Sequence, residues 1–399
     1  MTEHFLELTP YSPIRTGDLK PRGDYLDTRS YIPGSVLRGA LAEWLKAKGE
    51  TAKIAPLAQS MRFGNFFPAP VGGIYALPFP MTALECKRNG GFRNVPREEY
   101  RKAGHGIRDS LFITLAYAEL ESLGARFPVP MLLRCTTRNG KSELCGGRME
   151  RVGGFYIHRR EGWEKVSVSQ GVQTKVALSR HRRAAEEGML YRVVAVRPRG
   201  VFVGRIWTEE EEAIHTLKEA VEKVGVGALT TRGFGQARLR EIDAVLPSIQ
   251  ERLRDFNRVL REVWQELAEL ARATGSDVPA EPSGTYFSVD LLSPAVLRTT
   301  QGLSTLKLEL YLGGKLLEPV FWATQPAFVG GFSTAWGLPK PTALGAAQGS
   351  VYVFRVEGNE EALLPELEEL ETRGVGESTD GGWGEILVCH PFHREVKPV

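Results

Sequence analysis

The spacing of hydrophobic and polar positions changes several times along the chain, and each change predicts an element. His4 to Leu8 alternates as a half-buried strand does. A loop rich in Pro, Gly and Asp runs through Ser30. Val36, Leu37, Ala40, Leu41, Trp44 and Leu45 then recur at helical spacing, which predicts a helix from Ser35, its N-cap, to about Gly49. Tyr191 to Trp207 is rich in strand formers. Thr208 to Lys223 reads as an acidic helix with a capping box between Thr208 and Glu211. Pro247 and Ser248 open another helix. In it Ile249, Leu253, Phe256, Leu260, Val263, Leu267 and Leu270 fall alternately four and three apart, the spacing of a packing seam. Asn359 can cap a last helix that runs to about Arg373, and Cys389 falls in a closing strand as a core residue.

The order of elements repeats. Residues 225–235 read GVGALTTRGFG and residues 374–384 read GVGESTDGGWG, 149 positions on. Each loop follows an acidic helix and precedes a strand-like run, QARLREI or EILVCH. The start repeats too: HFLELTPYSPIRTGD is echoed by YFSVDLLSPAVLRTTQG, which aligns Ser12-Pro13 with Ser293-Pro294. Internal repeats of this size fix an architecture of related units. The chain divides into a first domain over 1–246 with an insertion at about 66–190, a linking helix and linker over 247–283, and a second domain over 284–399. The class is α+β.

Glycine loops invite a nucleotide reading, but a dinucleotide fingerprint follows a strand and opens a helix, and these loops do the reverse. Gly140-Lys141-Ser142 is no phosphate loop either, because the glycine required five residues earlier is Cys135. With 42% hydrophobic and 25% charged residues in 399, the composition is that of a globular protein. No apolar run is long enough for a bilayer, and the start has no signal-peptide core, so no membrane and a cytoplasmic setting are expected. The net charge of +3 hides an asymmetry. Cys86 to Arg199 holds 23 Lys and Arg against 11 Asp and Glu, a net of +12, which leaves −9 elsewhere. A polyanion is the natural partner of such a segment.

Several residues can carry that chemistry. Gly225, Gly227, Gly233 and Gly235 can bring backbone N–H groups against phosphate oxygens. Arg232 adds charge, and Phe234 can stack on a base or close the core. The second loop has Asp380 in place of an arginine, which suits packing as well as RNA. Gly34 and Ser35 sit at a helix N-terminus, where an anion is favoured, with Arg38 one turn in. Lys175, Arg180, His181, Arg182 and Arg183 form a basic run reading as a strand and a polar turn, suited to phosphate contacts or to solvent. Four cysteines in a cytoplasmic chain are not expected to pair as disulfides. Cys86, Cys135 and Cys145 with His105 would satisfy tetrahedral zinc, although nine residues separate Cys135 from Cys145 and no tight C-x2-C pair is present.

These residues also carry a family resemblance. YIPGSVLRGAL resembles the helix start, and GFG after a helix resembles the glycine-rich loop, of the RAMP superfamily, the ferredoxin-fold RNA-binding subunits of CRISPR effector complexes. GLPKPTALGAAQGSVYVF and GVGESTDGGWGEILVCHPFH resemble the closing stretch of two-domain RAMP subunits of type III systems, particularly the type III-D group, and ECKRNGGF with AGHGIRDSL resembles the metal-bearing insertion of some of these. The resemblance implies two ferredoxin-like domains and a structural, guide-RNA-binding subunit for antiviral defence. Such a subunit holds the repeat-derived 5′ tag and docks against the large signalling subunit and a backbone RAMP subunit. The acidic stretches Glu209–Glu212 and Glu366–Glu371 would then face solvent or a basic partner. The competing reading is an endoribonuclease. Processing relatives use a histidine near the first helix, and VLRGALAEWLK has none. Relatives that cut target RNA use an aspartate in the loop before IPGS, where this chain has Asp18, Asp24 and Asp27.

Overall fold

The computed structural model describes residues 1–17, 25–72, 74–93, 104–139, 143–160, 162–179, 181–244, 246–333, 338–358 and 360–399. Asp18, Asp24, Arg180, Asn359 and the Gly140-Lys141-Ser142 triplet lie outside these residues.

In chain order the main elements are β1 (Thr2–Pro10), α1 (Gly34–Ala47), β2 (Arg62–Phe63), β3 (Phe67–Ala69), α2 (Leu111–Ser122), β4 (Gln170–Leu178), β5 (Ala185–Val196), β6 (Val201–Thr208), α3 (Glu211–Val224) and β7 (Ala237–Glu241). After α4 (Ile249–Ala273) come β8 (Thr285–Leu291), β9 (Phe321–Ala323), β10 (Pro326–Ser333), β11 (Leu338–Ala346), β12 (Val351–Val356), α5 (Glu360–Arg373) and β13 (Ile386–Val388). The first sheet runs β7-β1-β6 with β2 and β3 at its edge, and the second runs β13-β8-β12-β9, all antiparallel. Both have the fourth strand beside the first and the third between first and second, the order of a ferredoxin-like unit.

The first domain packs α1 and α3 side by side on its sheet, with Leu37, Leu41, Leu217 and Val221 against Leu6, Leu8 and Ile206. Among the described residues, the second has no helix between β8 and β9. That place is filled from elsewhere: α4 lies on the second sheet beside α5, and α2, from the insertion, packs against α4. Phe112 and Leu115 therefore share one core with Phe256, Leu260, Phe287 and Leu367. The predicted α4 seam holds through Val263, then drifts. Trp264, Ala268 and Ala271 turn inward while Leu270 is 43% exposed, because a 3.5-residue repeat precesses around a 3.6-residue helix.

Two predicted caps differ. Thr208 stays in β6, paired with Thr2 on β1, so the sheet ladder claims it and α3 starts at Glu211; the Thr208 hydroxyl accepts the Glu210 N–H at 3.1 Å. α1 starts at Gly34 with Pro33 as its cap, so Ser35 lies inside the helix and caps nothing. The capping box that does form is Ser248 with Glu251, at the head of α4.

Part of the insertion packs against the C-terminal segment. Phe392, near the C-terminus, stands edge-on to Phe79 and Trp163 at centroid distances of 5.4 and 5.3 Å. The backbone of Val399 exchanges both hydrogen bonds with Ile107.

Candidate nucleic-acid interface and metal centre

The duplicated loops are superimposable in their backbone logic. Positive φ recurs at each equivalent pair: Gly225 and Gly374, Gly227 and Gly376, Leu229 and Ser378, Gly233 and Gly382, Gly235 and Gly384. Both loops lie on the Ser-Pro segment of their own domain. Gly235 N–H donates to Pro13 O and Gly384 N–H to Pro294 O, each at 2.9 Å. The Ser12 and Ser293 hydroxyls accept the N–H of Gln236 and Glu385. A Cβ on Gly227 would stand 2.4 Å from Arg15 O, and one on Gly376 2.5 Å from Val296 O, so glycine is required by close backbone approach. The N–H groups of Gly225, Gly233 and Gly235 are spent on Val221, Thr230 and Pro13 carbonyls. These glycines fix the shape of the loop, and its chemistry comes from side chains.

The first loop is joined by a long two-stranded arm. β4 and β5 pair over almost their whole length, and Val193 and Ala195 of β5 cover Phe234, which is 3% exposed. Phe234 thus closes a small core and offers no face to a base. Lys175 lies over its ring at 4.4 Å, and the exposed Arg232 donates to Tyr191 Oη at 2.9 Å. His181, Arg182 and Arg183 are exposed at the tip of the arm, Arg182 beside Glu186 at 3.5 Å and Arg183 with φ of 51°. Lys175 and Arg232 thus stand together at the base of the arm and the other basic residues at its tip, with Val176, Leu178, Met189 and Leu190 exposed between them.

The second domain has a counterpart arm, β10 and β11, with the same relation to its own core. Val196, ending β5, bridges to Ile14; Ala346, ending β11, bridges to Ala295, each one residue past the Ser-Pro pair. Its character is different: from Pro326 to Ala346 the only charge is Lys340, and Phe328, Leu338 and Leu344 are exposed.

The second glycine loop is occupied by the first domain. Gly381 and Gly382 are buried against the start of α1, and Asp380 pairs with Arg38. Asn65 connects the two, accepting from Gly34 N–H at 3.3 Å and donating to Gly382 O at 2.6 Å. The anion expected opposite Arg38 is therefore supplied from within the chain, and Gly34 is buried. Beneath this contact Arg205, wholly buried, pairs with Glu385 at 3.1 Å and Glu371 at 3.3 Å, while Arg252 takes the other Glu371 oxygen at 3.0 Å. Glu371 thus has basic partners inside the protein rather than facing solvent. Burial raises its carboxyl, but Arg252 and Arg205 outweigh that and hold it below the usual range. Burial pulls the neighbouring Arg62 down to about 10. None of Asn65, Arg62, Arg205 or Glu385 stood out in the sequence, since each reads as an ordinary surface residue.

Near the C-terminus His393 bridges Asp109 of the insertion and Asp290 of β8, at 2.8 Å each. Asp27 is held by its own turn, its carboxylate accepting Thr28 N–H at 2.7 Å.

The four predicted metal ligands converge. The thiol sulfurs of Cys86, Cys135 and Cys145 and a His105 ring nitrogen lie within 4.8 Å of one another. Cys86 Sγ and Cys145 Sγ are 3.8 Å apart and Cys135 Sγ lies 3.4 Å from His105 Nδ1. Zinc bound by sulfur and nitrogen at its usual bond lengths needs ligand separations of about 3.5–3.8 Å in a tetrahedron, so the set fits with little movement. Backbone N–H groups of Arg88 and Asn89 point at Cys86 sulfur, and that of Gly147 at Cys145 sulfur. Four described loops converge to make a site whose ligands could hold a metal.

The profile of the RAMP superfamily matches residues 7–238, and that of the CRISPR-associated protein Cmr3 matches residues 157–391. No curated protein matches. Among solved structures, a chain of the type III-B Cmr-beta complex bound to cognate target RNA is 12% identical over 88% of this chain and 86% of its own, with a TM-score of 0.39. A RAMP protein binding different RNA substrates is 10% identical over 97% of this chain and 99% of its own, with a TM-score of 0.30. Each profile spans more than half of the 399 residues, and with two ferredoxin-like sheets and a glycine loop closing each, the chain belongs to the RAMP superfamily and to its CRISPR-associated Cmr3 proteins.

Proposed function

We propose that the protein is a non-catalytic, guide-RNA-binding subunit of a cytoplasmic type III CRISPR effector complex. It caps the repeat-derived 5′ tag end of the guide and docks against the large signalling subunit and a neighbouring backbone RAMP subunit, with target RNA passing alongside. The observation that supports this reading is the arm packed on the first glycine loop, which brings Lys175 and Arg232 together at its base and carries exposed His181, Arg182 and Arg183 at its tip. Cationic groups bind phosphates regardless of sequence, which suits a subunit that must hold any guide. The equivalent glycine loop of the second domain is consumed in joining the two domains. The Arg38 end of α1 serves the same contact, so the guide surface reduces to the first loop and its arm.

Cys86, His105, Cys135 and Cys145 hold a structural zinc that pins the insertion loops. All four positions belong to protein ligands, leaving none open for a reacting water. The endoribonuclease alternative rests on Asp18, Asp24 and Asp27.

Changing Lys175, Arg182 and Arg183 together to Gln tests the guide surface. The complex should still assemble, with guide occupancy reduced several-fold at moderate salt. Undiminished occupancy would remove the arm from the guide surface.

A further inference from the structure

We propose that the metal-bearing knob is a second polyanion site, which takes the phosphate backbone of single-stranded RNA away from the arm and is held in shape by its metal. The inference rests on the zinc reading above.

The described loops of the knob, residues 86–93, 104–108, 134–139 and 143–150, carry seven Lys and Arg and only Glu143 and Glu150 as acids. A buried centre of three thiolates and one zinc(II) would have a charge of −1, too little to cancel them. Three guanidinium groups are tied to the ligand loops through uncharged acceptors: Arg88 to Cys145 O at 2.8 Å, Arg108 to Arg134 O at 2.7 Å and Arg93 to Thr137 Oγ1 at 3.3 Å. These bonds fix the arginines in place without neutralising them. Lys87, Arg134, Arg138 and Arg148 are exposed, and among these the acidic neighbour is Glu150, 3.9 Å from Lys87.

One pairing points directly at a ligand. Arg134 and Arg148 form an antiparallel bridge, so they stand opposite each other and project to the same side. Like charges directly opposite on paired strands repel, and Lys87 joins them, its N–H donating to Arg148 O at 3.0 Å. An anion shared between the two guanidinium groups turns that repulsion into binding, and a phosphate accepts from arginine in the required bidentate geometry. Within these loops the exposed large apolar side chain is Leu144, with Leu132 exposed two residues before Arg134. Such a polar, positively charged surface matches nucleic acid better than the apolar centre of a protein interface.

The test uses the zinc-loaded full chain and a fluorescent 20-nucleotide polyuridine RNA, with affinity followed across a salt series. Changing Arg134, Arg138 and Arg148 together to Gln should weaken binding at least tenfold and flatten the logarithmic salt slope by about 2, from about 0.7 per lost phosphate contact, with metal content unchanged. Removing the metal with a chelator should flatten the slope by a similar amount. An unaltered slope in the triple variant would overturn the site, and an unaltered slope after chelation would overturn the metal's role in it. Competition by polyglutamate as effective as by unlabelled RNA would also overturn it, pointing to an acidic protein. The Lys175, Arg182 and Arg183 variant is measured in parallel: loss there alone would leave the guide surface standing and remove the knob, and loss in the knob alone would do the opposite.

Discussion

The Arg205 guanidinium lies 3.1 Å from the Glu385 carboxylate, and neither side chain reaches solvent. The pair joins the third strand of one ferredoxin-like unit to the edge of the second glycine loop in the other, a buried contact between the two domains. Truncating one partner of a buried pair leaves the other charge uncompensated, at about 3–5 kcal/mol. Arg205→Met strands Glu385 and weakens the hold on Glu371, and should lower unfolding free energy by that amount in denaturant titrations. A loss under about 1 kcal/mol would mean that this pair adds little to the contact between the domains.

The duplicated loops predict a matched pair of effects. Gly227→Ala and Gly376→Ala both force a Cβ into a carbonyl oxygen, at 2.4 and 2.5 Å, at positive φ. Each should cost about 2 kcal/mol or more, whereas Gly233→Ala, with nothing within 4 Å, should cost about 1 kcal/mol from φ alone. Thermal unfolding of the three variants checks the order. Gly233→Ala falling level with the other two would contradict it.

What the sequence made legible follows from where its signals are local. The glycine loops, the Ser-Pro segments and α4 each carry their pattern within one short stretch. The two arms do not, although they are equivalent in space. A ribbon largely exposed beyond its base is free of a single hydrophobic period, so one copy carries several cations among its exposed apolar residues and the other a single lysine, and the bridges of Val196 and Ala346 reveal the match. Thr208 misled because a good capping sequence was outcompeted by the ladder to Thr2. The placement of α2 on the second domain's core was invisible for a different reason: Phe112 meets Phe256 at 4.7 Å across 144 residues of chain. The cysteine set was legible in residue type, but convergence of the ligands needed the fold.

Stability should depend on alkaline pH through His393. Burial alone would lower its imidazole, yet Asp290 and Asp109 outweigh burial and raise it to about 10. A value raised on folding contributes fully below the unfolded value of about 6.5 and is lost as the pH climbs through about 10. His390, beside it, has the opposite sign: burial holds it down to about 3, so its cost grows as the pH falls below about 6.5. Wild-type protein should therefore lose stability between about pH 7 and pH 10, and His393→Gln should be less stable with that decline flattened. An equally steep decline in the variant would assign it to other groups.

Metal analysis should find one zinc per chain. Cys86→Ser, or chelation, should expose the loops at residues 86–93, 134–139 and 143–150 to protease while the second sheet, under α4 and α5, stays protected. Full protection of the knob without metal would show that the loops are held by their own backbone bonds.

The most direct test of the guide-holding role is ultraviolet crosslinking of the protein assembled with its genomic neighbours, with the bound RNA sequenced and the crosslinked peptides mapped. Repeat-derived 5′ ends joined to peptides bearing Lys175, Arg182 or Arg232 are the predicted result. An assembled complex with RNA crosslinked elsewhere in it, and none on the arm or the first glycine loop of this chain, would contradict the account.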